Sequence, residues 1–142
     1  MHNHQDNRPP SSGDLYTFID LAIANSEYET RYIVTTNGTV YALVTTDIHA
    51  ATLFNTRFPR VPSGNFEQSF PFELVDVFNQ IRDLGRASEE MTMAFIIEKN
   101  NIGIALLYQD SNGNFKILNT DEEKDSDGLN IYVATNCQKK VI

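Results

Sequence analysis

Three histidines, one cysteine and a dense run of acids are the side chains from which any chemistry of this chain would start. The histidines are His2, His4 and His49. A protein metal site needs three or four converging donors, and neither a His-Glu-x-x-His segment nor a Cys/His pair occurs here. His2 and His4 therefore read as solvated residues, His49 as a surface residue, and no metal or cofactor is expected. Cys137 stands in TNCQKKVI, where Lys139 and Lys140 would lower a thiol pKa. A nucleophilic cysteine also needs a base placed against it, and no local signature supplies one, so a passive thiol is expected.

Other spacings fail more plainly. Asp110-Ser111-Asn112-Gly113-Asn114 starts like a calcium loop, which requires Gly at the sixth position and Glu at the twelfth. Those positions hold Phe115 and Asp121. Counted from Glu123, Gly128 falls sixth but Ala134 falls twelfth. Both stretches read as turns. Asn37-Gly38-Thr39 has the form of a glycosylation sequon but reads as a hairpin turn. Acid–base catalysis asks for two carboxylates with separated pKa values in one cleft, and the spacing of Asp20, Asp47, Asp76 and Glu89-Glu90 singles out no pair. Gly85, Gly103 and Gly113 are isolated and build no phosphate cradle.

The acids themselves remain. Asp121, Glu122, Glu123, Asp125 and Asp127 are offset only by Lys124, so this run carries −4 of the net −8 of the 142-residue chain. Most charge runs are solvated surface. A run of this density is also a landing site that speeds encounter with a basic protein, and Ile131, Tyr132 and Val133 follow it as a short strand that a partner strand could extend. Those eight residues form the expected partner-binding site. A −8 surface repels phosphate backbones and anionic lipid, which disfavours nucleic acid and membrane as partners.

The elements that would position these residues follow from pattern. Residues Met1 to Gly13 are polar, with Pro9-Pro10 and Ser11-Ser12, and read as a flexible tail ahead of a single domain, 14–142. Asp14 or Ser12 is expected to cap a helix running to about Ser26, with Leu15, Phe18, Ile19, Ala22 and Ile23 on one face. RYIVTTNGTVYALVTT, Arg31 to Thr46, is two β-branched and aromatic runs joined by Asn37-Gly38. It predicts a hairpin on a type I′ turn. Thr46 or Asp47 is expected to cap a short helix stopped by Pro59, and Pro59 to Gln68 to be a loop. Ser69 and Pro71 open a second helix that buries Leu74, Phe78 and Ile81, flanked by Val75, Val77 and Leu84 and ended by Gly85. Arg82 and Arg86 suit the negative pole of its dipole.

Thr92–Glu98 and Ile102–Gln109 are apolar enough to predict two central strands joined by Lys99-Asn100-Asn101, with Phe95, Ile97, Ile104 and Leu106 facing Phe78 and Ile81. Asp110–Asn114 turns the chain into Phe115–Asn119, an acidic loop spans Thr120–Asn130, and Ile131–Thr135 is a last strand. The order α-β-β-(α)-α-β-β-β predicts an α+β fold with an antiparallel sheet of about five strands and helices packed on it.

That order, from about Asp14 to Asn119, resembles the profilin-like layout of roadblock-type modules. The Pro-rich loop and the strand after the acidic run depart from it, and no functional residue is carried over. The absence of a secretory apolar segment near the first residues, and a single cysteine, lead to an expected cytoplasmic location. Small size, acidity and missing catalytic groups are features of inhibitor or immunity proteins that neutralise a basic partner such as a toxin nuclease, so a non-enzymatic binding role is expected. The competing expectations are a roadblock-like homodimeric scaffold, and a sensor or enzyme with a pocket between sheet and helices.

Overall fold

A computed structural model describes residues 2–3, 8–25, 27–61, 69–83, 88–124, 126–128 and 130–134; for 2–3, 121–123 and 130–134 the description is of the backbone. The order is β1 (His2–Asn3), α1 (Ser12–Ala24), β2 (Thr30–Val34), β3 (Val40–Thr45), α2 (Ile48–Arg57), α3 (Phe72–Asp83), α4 (Glu89–Lys99), β4 (Ile104–Gln109), β5 (Phe115–Ile117), β6 (Thr120–Lys124) and β7 (Asn130–Ala134). Among the described residues the fold is α+β, with four helices against a four-stranded antiparallel sheet, β2-β3-β4-β5. The two residues of β1 add to the outer edge of β2 in parallel, and β6 and β7 pair separately.

Two hairpins build the sheet, and the same turn closes both. Thr35 N–H donates to Thr39 O and Gly38 N–H to Thr35 O; Asp110 N–H donates to Asn114 O and Gly113 N–H to Asp110 O. Gly38 (φ 87°) and Gly113 (φ 82°) take the left-handed position, while Asn37 does not. The expected hairpin at Asn37-Gly38 is therefore present, but its turn is a tight turn followed by a left-handed glycine bulge, not type I′. Asn37 instead uses its side chain: Oδ1 accepts from Thr39 N–H at 3.1 Å and from the Thr35 hydroxyl at 2.6 Å.

Three of the four helices described, α1, α2 and α4, start at a polar cap, Ser11, Asp47 and Ser88. Ser11 and Asp14 form a reciprocal capping box on α1, one residue ahead of the expected Ser12. Pro9 and Pro10 are buried just before it. Leu15, Phe18, Ile19 and Ala22 are buried as their spacing requires, whereas Ile23 in the last turn is exposed. Tyr16 is buried instead and donates its hydroxyl to Phe58 O at 2.5 Å. Asp47 caps α2, whose last residue precedes Phe58-Pro59, as expected. Pro71 O accepts from both Leu74 and Val75 N–H at the start of α3, which buries Leu74, Phe78 and Ile81. The expected roles of Leu84, Gly85 and Arg86 lie outside the described residues.

The main correction concerns Thr92–Glu98, which is the body of α4 and not a strand. A short, nearly continuous apolar run cannot separate a buried strand from a buried helix; its ends must decide. Here the ends are helical. Ser88 accepts from Met91 N–H, and Glu89 and Glu90 lie at the positive pole of the helix. Asn101 (φ 47°) ends it in a Schellman arrangement: Ile102 N–H donates to Ile97 O and Asn101 N–H to Glu98 O. Among the described residues the sheet consequently has four antiparallel strands where about five were expected.

All four helices and the inner sheet face share one core. Ile33, Tyr41, Leu43, Ile104 and Leu106 pack with Phe18, Phe54, Phe78, Met93 and Ile97. Of the six expected core residues Phe78, Ile81, Ile97, Ile104 and Leu106 are buried, and Phe95 packs against the core half-buried. No helix among the described residues is long and apolar enough to cross a membrane.

Candidate functional site

The expected acidic loop is largely a strand. Asp121, Glu122 and Glu123 lie in β6, and the ladder pairs them with Val133, Tyr132 and Ile131 of β7 respectively. The backbone thus brings six of the eight expected site residues into one two-stranded unit. Asp127 is exposed at the turn, next to Gly128 with φ 80°. Asp125 lies outside the described residues. The hairpin packs on α4, anchored by Thr120, which is buried. Among the described residues neither outer edge of this two-stranded sheet is paired, so each has backbone groups with which another strand can bond.

A second feature was not anticipated. In β2–β5 the only charged residues are Arg31 and Lys116, and register places them on the helix-side face, opposite Leu43 and Tyr108. The other face carries Tyr32, Val34, Val40, Leu107, Phe115 and Ile117 around a buried Ala42, with the polar Thr30 and Gln109 at strand ends; Ile117 is 50% exposed and Tyr32 41%. The rings of Tyr32 and Phe115 meet at 5.7 Å although two strands lie between β2 and β5. One-sided antiparallel sheets ordinarily alternate apolar-in with polar-out. The signal is present in the sequence, since both alternating sets of β2–β5 are mostly apolar where a sheet with one solvated face needs only one.

The residues that could have done chemistry are mostly holding the fold. Glu89 accepts a two-pronged hydrogen bond from Arg8 and lies 3.9 Å from Arg82, which also bonds Asn79. Glu90 accepts from the Tyr41 hydroxyl at 2.6 Å. Burial, then that hydrogen bond and the Glu90 charge, push the Tyr41 pKa up. Burial also raises the pKa of Tyr16, against an opposing effect of Arg60. Asp47 caps α2 and Asp76 accepts from Gln80. Asp110 accepts from the N–H groups of Asn114 and Asn112 and lies 3.4 Å from Lys116. The Asn114 hydrogen bond above all holds its carboxyl below the usual range.

His49 is exposed at the start of α2, beside a groove of about 320 Å³ shared with Asp47, Leu53, Arg57 and Asn101. Cys137 and His4 lie outside the described residues. Among the described residues no group of three His, Cys, Asp or Glu could hold a metal ion. Comparison of the chain with protein-family models, curated proteins and solved structures finds no match.

Proposed function

We propose that this chain is an acidic protein-binding domain of the inhibitor or immunity-protein kind, acting in the cytoplasm on a basic partner such as a toxin nuclease and carrying out no chemistry of its own. The observation that carries the reading is the β6–β7 register, which sets Asp121, Glu122 and Glu123 directly across from Val133, Tyr132 and Ile131. Acids at this density raise the encounter rate of a basic protein, and the adjoining unpaired strand edge gives it main-chain hydrogen bonds once it has arrived. Net charge of −8 selects the same sign of partner.

The test is the association of the chain with the partner captured from its native host, at low and high salt. The comparison is with a variant carrying Asn for Asp121, Asp125 and Asp127 and Gln for Glu122 and Glu123. Slower association with a flatter salt dependence, at unchanged thermal stability, is the expected result. Identical rates and identical salt slopes would reduce the run to a solvated hairpin.

A further inference from the structure

The sheet face away from the helices carries no charged residue from any of its four strands. Arg31 and Lys116, the only charged residues in its four strands, both lie on the opposite side. We propose that this face is the interface of a symmetric homodimer, in which two copies stack sheet against sheet about a twofold axis.

Electrostatics selects the occupant. Two copies of a chain with net charge −8 repel, and the repulsion is weakest where neither brings an acid to the contact. A basic partner gains nothing on a neutral face and is drawn to the acids elsewhere. A second copy presents the same apolar surface, and a twofold contact requires a surface complementary to itself.

Size agrees with composition. Four strands about 4.8 Å apart, three of them five or six residues long and β5 three, at about 3.4 Å per residue give a face of at most about 20 by 20 Å, roughly 300–400 Å² in projection. That is within the range of the largest apolar patch on a typical monomer, which is often functional, and below the roughly 800 Å² per partner of a standard interface. The dimer is therefore expected to form in the micromolar range. Its centre is the Tyr32–Phe115 ring pair, a rigid amphipathic contact of the type enriched in interfaces. Ile117, half-exposed on the edge strand β5, lies beside it.

Sedimentation velocity of the full chain from about 1 to 100 µM, at low and high salt, tests this. The wild type should pass from monomer to dimer across that range, more readily at high salt, because screening weakens the repulsion between like-charged copies. Ile117→Lys puts a charge on the face at an exposed position, and should weaken the dimer at least about tenfold with an unchanged circular dichroism spectrum and thermal midpoint. Neutralising the five hairpin acids should leave the dimer as tight or tighter, which separates this surface from the proposed partner site. A wild type that stays monomeric to about 100 µM, or an Ile117→Lys variant that dimerises as well as the wild type, overturns the proposal.

Discussion

Gly103 and Asp47 meet backbone to backbone. The Gly103 carbonyl accepts from Asp47 N–H at 3.1 Å and from Thr46 N–H at 2.8 Å, and a Cβ on Gly103 would stand 2.1 Å from the Asp47 carbonyl oxygen. Gly103 also has φ 77°, which side chains rarely adopt. This contact sets the start of β4 against the cap of α2, so the second hairpin enters the sheet where the first one leaves it.

Gly103→Ala should consequently combine two costs, left-handed strain and a clash with backbone that cannot move aside. The expected loss is at least about 3 kcal/mol. Urea unfolding followed by circular dichroism measures it. A midpoint within error of wild type would show that the α2–β4 approach relaxes freely.

Gly38 isolates the first of those costs. Its φ is 87°, and nothing would lie within 4 Å of an added Cβ. Gly38→Val should cost about 1–2 kcal/mol from strain alone, clearly less than Gly103→Ala. Equal losses at the two positions would contradict the packing difference between them.

Phe78 is fully buried in α3, with the Arg82 guanidinium 5.5 Å from its ring centre. Phe78→Ala removes the ring and leaves a cavity between α3 and its neighbours, for an expected loss of roughly 3–5 kcal/mol. A loss below about 1 kcal/mol would place the residue at the surface.

Alkaline pH should unfold the protein through Tyr41 and Tyr16. Both have pKa values raised above the ordinary 10.0, so the folded state keeps protons that the unfolded state releases. Their contribution is complete below pH 10.0 and is lost as pH rises from there toward the folded values, at up to about 1.4 kcal/mol per pH unit for each tyrosine. Tyr41→Phe should be destabilised at neutral pH by loss of the hydrogen bond to Glu90, yet show a slope above pH 10 reduced by about half. Parallel curves for wild type and variant between pH 8 and about 11.5 would show that Tyr41 titrates alike in both states.

Sequence determined those elements whose signals are local. Asn-Gly and Asp-Ser-Asn-Gly specify turns because glycine alone reaches positive φ without strain, and both turns are where the pattern puts them. The apolar spacing of α1 and α3 identified most of their buried faces, because a single stripe can face only one core. Net charge and the concentration of acids at Asp121–Asp127 were legible for the same reason: composition does not depend on packing.

Tertiary structure decided what periodicity left ambiguous. Thr92–Glu98 is apolar on nearly all sides. It became a helix because the Ser88 cap and the Asn101 terminus satisfy its ends while Met93, Ile96 and Ile97 are buried. Asp121–Glu123 became a strand because β7 supplies their ladder partners, and hydrogen bonding between strands depends on a segment that composition does not name. The uncharged face likewise exists only as register. Tyr32 and Phe115 are 83 positions apart, and only the strand order and register of β2–β5 put their rings on one face, 5.7 Å apart.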